Sequence, residues 1–114
     1  MKVLYIHGLN SQPTPEKLDI IAKCGMEPVY LKLDYRNQPN SYQLILEKAQ
    51  SENVEMVIGS SLGGYFGFWI SEELGVPCLL FNPALNVPES LPLIQPSKKT
   101  RRCPLRMVVV GAHD

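Results

Sequence analysis

Three small residues spaced two apart mark the stretch of this sequence that could carry out chemistry: Gly59, Ser61 and Gly63. An apolar run rich in β-branched residues, 54–58, precedes them, and a helix-forming apolar segment begins at Leu62. A serine at the centre of this spacing, on a sharp turn from strand to helix, takes a strained backbone conformation that lifts its hydroxyl clear of the sheet. Strand and helix then pass so close together that the two outer positions require glycine.

The neighbouring serine, Ser60, does not meet the same requirement, because Ile58 and Leu62 flank it at the same offsets. Ser61 is therefore the predicted nucleophile. The plain alternative is a Gly-Ser turn between a strand and a helix, with no chemical role. The setting favours the nucleophilic interpretation, since a buried type of strand precedes the motif and a long apolar helix follows it.

Length and composition bound the class of protein. The chain has 114 residues, 45% of them hydrophobic, and a formal net charge of zero. We expect a single domain, 1–114, with neither nucleic acid nor a membrane as partner. Its first apolar run is too short for a signal peptide, and no stretch approaches the length of a membrane span. The three cysteines are widely spaced, which predicts neither a disulfide framework nor a metal site. We therefore expect a reduced, cytoplasmic location. We also expect no cofactor.

Short apolar runs alternate with helical patterns along the chain. The predicted strands are 3–6, 28–34, 54–58, 77–81 and 105–111. Thr14 and Ser41 are predicted to cap the first two helices, and the third is predicted over 62–74, ended by Gly75. A long proline-containing loop is predicted at 86–104. This alternation predicts an α/β fold: a three-layer, doubly wound parallel sheet of about five strands.

In such a sheet the functional site lies at the carboxyl ends of the strands. Several polar or small residues follow predicted strand ends and should gather along this edge: His7, Gly8, Asp34, Ser61, Asn82 and Asp114. Among these, Asp34 is expected to bond within its own turn, and an amide at Asn82 cannot act as a catalytic acid.

Four segments carry a resemblance to a known family: 5–11, 58–65, 81–84 and 110–114. In this order they resemble the small YqiA-like esterases of the α/β-hydrolase superfamily. The resemblance covers nearly the whole chain and is weakest over 86–103. It implies an α/β-hydrolase core and a serine hydrolase, either a carboxylesterase or a thioesterase, that transfers the acyl group of a small ester through Ser61.

The resemblance also implies roles for individual residues. Ser61 is the nucleophile, and Asp114, just past the last strand, is the triad acid. The backbone N–H groups of Leu9 and Leu62 form the oxyanion hole, Leu62 because it begins a helix whose first N–H groups are unpaired. His7 and Gly8 shape the loop that carries Leu9.

The base of the triad is not found in this chain. The family places its histidine after the acid, beyond another strand, whereas this sequence contains only His7 and His113. His113 directly precedes Asp114, and adjacent side chains of an extended segment point in opposite directions, so it is poorly placed to bond that carboxylate while facing Ser61. We expect a longer natural chain that adds the histidine, a last strand and a covering helix, so that the core here is incomplete at its C-terminal end.

Other interpretations stay open at this stage. The chain could instead be complete, with its base lent by a second subunit of a homodimer, or it could be a degenerate, non-catalytic binding protein of the same fold. An acyltransferase or a dienelactone-type hydrolase would share this fold, but the turn that carries Ser61 offers no cysteine or acid to support the latter. The basic residues of the long loop, 98–102, are expected to be a solvated segment.

Overall fold

Strands and helices alternate along the chain in the computed structural model, which describes residues 1–87, 91, 93 and 105–111. The strands are β1 (Lys2–Ile6), β2 (Glu27–Tyr30), β3 (Met56–Ser60), β4 (Cys78–Phe81) and β5 (Arg106–Val109), and the helices are α1 (Pro15–Lys23), α2 (Ser41–Glu52) and α3 (Leu62–Leu74).

The five strands form one parallel sheet in the order β2-β1-β3-β4-β5. The order reverses between β1 and β3, since β2 lies on one side of β1 and all later strands lie on the other. In open α/β sheets this reversal leaves a crevice at the carboxyl ends of the two central strands, where ligands bind. The sequence-based prediction of a doubly wound parallel sheet of five strands is confirmed.

Helices pack on both faces of the sheet. Helices α2 and α3 cover one face, where the larger hydrophobic cluster includes Leu4, Val57 and Leu80 from the strands and Phe66 from α3. Helix α1 lies on the opposite face, where Ile21 packs with the side chains of β1 that point that way. Within the part of the chain that the structure describes, no helix has the length and hydropathy of a membrane span.

Most predicted boundaries agree with the structure, and the differences concern the cap of α2 and several strand ends. The hydroxyl of Thr14 accepts a hydrogen bond from the N–H of Lys17 (3.3 Å), and Gly75 ends α3 in the left-handed conformation, both as predicted. Ser41 does not cap α2. The capping position is Asn40, and the hydroxyl of Ser41 instead donates to the carbonyl of Gln38 (2.6 Å).

The other differences concern strand ends. Strand β2 ends at Tyr30, earlier than predicted, and β3 begins later than predicted, at Met56, and continues through Gly59 to Ser60. Strand β5 is shorter than predicted, Arg106–Val109. Most of the predicted loop 86–104 lies outside the described residues. Where it is described, Val87, Leu91 and Leu93 are buried and join the cluster on the face of α2 and α3.

Candidate active site

Ser61 lies in the bend between β3 and α3, as the glycine spacing predicts. Its backbone has φ 57° and ψ −120°, a conformation that L-residues rarely adopt. It occupies the N-cap position of α3, but its side chain makes no capping hydrogen bond. The hydroxyl is therefore not used to satisfy the helix and remains available for other partners.

The glycines on either side of Ser61 allow this bend to be so tight. A Cβ atom on Gly59 would lie 2.7 Å from the carbonyl carbon of Gly63. A Cβ atom on Gly63 would lie 2.6 Å from the carbonyl carbon of Ile6 and 2.5 Å from the carbonyl oxygen of His7. Helix α3 thus begins in contact with the backbone of both β3 and β1, at the switch point of the sheet.

Hydrogen bonds hold the strained residue on both sides. The N–H of Ser61 donates to the carbonyl of Phe81 at the end of β4 (3.0 Å). The carbonyl of Ser61 accepts from the N–H groups of Gly64 (3.0 Å), Tyr65 (3.2 Å) and Ala84 (2.9 Å). A residue in a sparsely populated conformation persists only when its surroundings fix it in this way, and such residues concentrate at functional sites.

The loop that follows β1 lies directly against the Ser61 side chain. A Cβ atom on Gly8 would be 3.2 Å from Cβ of Ser61 and 3.9 Å from its Oγ. None of the hydrogen bonds among the described residues uses the N–H of Leu9 or of Leu62. These two N–H groups come from the loop beside Ser61 and from the first residue of α3, where the helix dipole is positive. An anion formed at Ser61 would find donors of this kind nearby.

His7 is fully buried, and both of its ring nitrogens are engaged. Nε2 accepts a hydrogen bond from the N–H of Leu33 (2.9 Å), so the ring proton is on Nδ1, which donates to the carbonyl of Gly8 (2.7 Å). Burial lowers the pKa of His7 below its ordinary value of 6.5, which keeps the ring neutral. With no nitrogen left for Ser61, His7 does not have the geometry of a catalytic base.

Asn82 fixes the strand end that leads towards the predicted acid. It has a positive φ of 43° directly after β4, its N–H donates to the carbonyl of Val109 (2.8 Å), and its Oδ1 accepts from the N–H of Gly111 (2.8 Å). Asp114 itself, and His113 beside it, lie outside the described residues. From the sequence, Asn82 is only a residue that cannot act as the catalytic acid. An asparagine directly after a strand, where left-handed backbone is common, is the signal that could have shown this role.

The remaining candidates make other contacts. Asp34 accepts hydrogen bonds from the N–H of Arg36 (3.2 Å) and from the side chain of Asn37 (2.6 Å), so it bonds within its own turn as expected. Ser60 lines a groove on the side of the sheet that carries α1. Among the described residues, no cluster of histidine, cysteine or acidic side chains could hold a metal ion.

The parallel five-stranded sheet and the tight bend at Ser61 are those of the α/β-hydrolase fold. A crystal structure of a protein from Xanthomonas campestris pv. campestris, assigned as a hydrolase of the α/β superfamily, matches 99% of this chain and 72% of its own length. The two chains are 18% identical and superpose with a TM-score of 0.66, which shows the shared fold.

The family is shown by a second comparison. Residues 2–95 match the model of the uncharacterised protein family UPF0227, and the chain belongs to this family. The resemblance to the YqiA-like family that the sequence motifs indicated is thereby confirmed.

Proposed function

We propose that this protein is a serine hydrolase that cleaves a small carboxylic ester or thioester by acyl transfer through Ser61. The observation that carries the proposal is the backbone of Ser61, φ 57° and ψ −120°, held between two glycines whose positions admit no side chain. Strain of this kind at a serine between a strand and a helix is the geometry of a nucleophile elbow.

In the proposed reaction the Oγ of Ser61 attacks the carbonyl carbon of the substrate. A bond forms between Oγ and that carbon, and negative charge develops on the carbonyl oxygen. The N–H groups of Leu9 and Leu62 are the proposed donors to this oxygen, because both lack a partner among the described residues and flank the serine. Collapse of the intermediate breaks the bond to the alcohol or thiol, and water then releases the acid from Ser61.

The proton of the Ser61 hydroxyl must pass to a general base and then to the leaving group. His7 does not serve, because its two nitrogens already bond Leu33 and Gly8. The base in this proposal is therefore a group outside the described residues. Asp114, the proposed acid that orients this base, also lies outside them. Asn82, which bonds Gly111, would fix the strand end from which Asp114 follows.

A pair of neighbouring serines allows a matched test of the proposal. Turnover of short-chain p-nitrophenyl esters and of an acyl thioester should be measured for the wild type, Ser61→Ala and Ser60→Ala. Loss of the nucleophile in a serine hydrolase lowers kcat by about 10⁶-fold, so Ser61→Ala should show only background. Ser60→Ala should keep wild-type kcat/KM, since Ser60 faces the groove beside α1.

The alternative function is a binding protein of the same fold that does not turn over esters. It is favoured by one observation, the engagement of both nitrogens of His7, the single histidine among the described residues. This alternative predicts equal, background rates for all three proteins. Turnover that disappears in Ser61→Ala and persists in Ser60→Ala rules it out.

A further inference from the structure

The turn after β2 uses the carboxylate of Asp34 to hold the backbone of Arg36. This carboxylate accepts hydrogen bonds from the N–H of Arg36 (3.2 Å) and from the side chain of Asn37 (2.6 Å). The N–H of Asp34 donates in turn to the side chain of Gln38 (2.7 Å). Asp34 therefore fixes the backbone of Arg36 and forms no ion pair with its guanidinium group.

The guanidinium group of Arg36 reaches the loop after β1 instead. Its Nη2 donates to the side-chain oxygen of Asn10 (3.1 Å), and both residues are exposed. Asn10 directly follows Leu9, whose N–H is the proposed oxyanion donor, in the loop that lies against Ser61. From standard bond lengths, Nη2 lies within about 12 Å of the backbone nitrogen of Leu9. A cation is thus bonded to the loop that serves the proposed reaction.

The positive charge of Arg36 has no counter-charge among the described residues. Lys2, Lys48 and Arg106 form ion pairs with glutamates, whereas no carboxylate in the described part of the chain pairs with Arg36. A guanidinium group has five N–H donors. One of them bonds Asn10, and the others have no partner among the described residues. The charge and these donors are therefore open to an anion that arrives from solvent.

We propose that Arg36 is a specificity-determining residue that binds a carboxylate group of the substrate while Ser61 attacks the ester carbonyl. This inference rests on the proposed function, because the carboxylate belongs to the molecule that Ser61 cleaves. The bond to Asn10 holds the guanidinium group at the loop beside Ser61, so less side-chain entropy is lost when the carboxylate binds. The substrate class is an ester or thioester that carries a second, negatively charged group.

The charge of the site favours a carboxylate over a phosphate. A carboxylate carries one negative charge and matches one guanidinium group, whose planar fork fits its two oxygens. A phosphate monoester carries nearly two negative charges at neutral pH. Among the described residues, no second cation bonds the loop after β1 that could balance the additional charge.

A purely structural role for Arg36 has a different consequence. The bond between Arg36 and Asn10 joins two loops, and its loss would lower turnover of every ester by the same factor if that were its only role. Loss of a carboxylate subsite lowers turnover of the charged ester alone. The ratio of kcat/KM for a charged ester to kcat/KM for a neutral ester therefore separates the two roles.

Two acetate esters of nearly the same shape provide this ratio. The ester p-acetoxybenzoate carries a carboxylate, and p-acetoxybenzamide is its neutral counterpart. We would measure kcat/KM on both esters for the wild type, Arg36→Gln, Arg36→Lys and Lys32→Gln. The intrinsic reactivities of the two esters cancel, because the ratio is compared between proteins. Lys32→Gln is the matched control, since Lys32 is an exposed cation of the same segment for which the structure shows no bond to Asn10.

The inference predicts that the preference for the charged ester depends on Arg36. Arg36→Gln should lower the ratio by about threefold to tenfold, the range of an exposed ion pair supported by a hydrogen bond. Arg36→Lys should keep part of the preference, because it retains the charge and loses the planar fork. Lys32→Gln should leave the ratio unchanged. An unchanged ratio in Arg36→Gln, or an equal fall in Lys32→Gln, would overturn the inference.

A binding measurement distinguishes failure of this inference from failure of the proposed function. When benzoate is added to the ¹⁵N-labelled wild type, the NMR signals of the Arg36 Nε–H and the Asn10 side-chain amide should shift, and benzamide should shift neither. If neither ester is turned over while benzoate shifts these signals, the proposed function is wrong and the carboxylate site stands. If benzoate leaves both signals in place, the inference is overturned whatever the esters show.

Discussion

The two faces of the sheet are packed very differently. Among the described residues, the cluster on the face of α2 and α3 contains twenty buried hydrophobic residues, whereas the cluster beside α1 contains three: Val3, Tyr5 and Ile21. On the α1 side, Ile58, Leu79 and Phe81 line an apolar groove of about 370 Å³ instead of a closed core. Adjacent residues of one strand therefore meet entirely different surroundings.

The difference also extends to polar groups. On the face of α2 and α3, the His7 ring and the Tyr35 hydroxyl are buried and hydrogen-bonded. On the face of α1, the Tyr5 hydroxyl is buried and has no hydrogen-bond partner among the described residues. Precise packing and full hydrogen bonding occur where the strained backbone of Ser61 must be held, and they are relaxed on the opposite face. Among the described residues, the denser packing of this fold is therefore concentrated behind the proposed nucleophile.

The largest expected effect on the free energy of unfolding comes from one of two neighbouring leucines on β4. Leu80 is 2% exposed and packs in the cluster beneath α3, whereas Leu79 is partly exposed and lines the groove. Leu80→Ala should lower the free energy of unfolding by about 2–5 kcal/mol, through lost burial and the cavity that remains. Leu79→Ala should lower it by less than about 1 kcal/mol, since that site is already open to solvent. Urea unfolding of both variants measures this difference, and equal losses would show that the two faces contribute alike.

The next effect concerns the contact between α3 and the strands. A Cβ on Gly63 would meet backbone atoms of Ile6 and His7, whereas a Cβ on Gly67 would meet only side-chain carbons of Leu80 (3.2 Å) and Val57 (3.3 Å). Gly63→Ala should therefore destabilise the fold by about 1–3 kcal/mol despite the better helix propensity of alanine. It should also lower ester turnover, because α3 has to move away from β1 and Ser61 at its start would shift with it.

Gly67→Ala is the control on the same helix. Its neighbours are methyl groups that can shift by a few tenths of an ångström, and the gain in helix propensity of about 1 kcal/mol offsets the crowding. Turnover should be unchanged in this variant. If Gly63→Ala were as stable and as active as Gly67→Ala, the close approach of helix and strand would not be what holds the bend.

The smallest expected effect on stability distinguishes two of the buried tyrosines, Tyr35 and Tyr5. Tyr35→Phe removes the hydrogen bond to the carbonyl of His7 and should lower the free energy of unfolding by about 1 kcal/mol. Tyr5→Phe removes a hydroxyl that has no partner in the described part of the chain, and it should leave the free energy of unfolding unchanged or raise it by up to about 1 kcal/mol. Thermal or urea unfolding of the pair provides the measurement. A destabilising Tyr5→Phe would mean that its hydroxyl is satisfied in solution.

The order of elements and the position of Ser61 could be predicted because both depend on local patterns. Alternating apolar runs and helical spacings define the strands and helices, and Gly59 and Gly63 flank the serine at the offsets that a tight bend requires. The prediction that Ser41 caps α2 is wrong, because Asn40 and Ser41 are both good capping residues and local sequence does not separate them. In the structure Asn40 occupies the capping position, and the hydroxyl of Ser41 donates to the carbonyl of Gln38.

The rest of the site depends on contacts between distant segments. Nothing local to His7 indicates that the N–H of Leu33 donates to its ring, or that the hydroxyl of Tyr35 donates to its carbonyl. The same holds for the bond between Asn82 and Gly111, 29 residues apart in sequence. The uneven packing of the two faces was likewise beyond the sequence pattern, since Leu79 and Leu80 are identical residues whose surroundings differ only in the folded chain.

The central claim is that the hydroxyl of Ser61 is an activated nucleophile, and covalent labelling tests it most directly. The wild-type protein should be treated with a fluorophosphonate probe, digested, and mapped by tandem mass spectrometry. Our account predicts a single phosphonylated residue, Ser61, with no adduct on Ser60 and none in Ser61→Ala. An adduct on another residue, or no adduct on wild-type protein whose fold is intact, would contradict it.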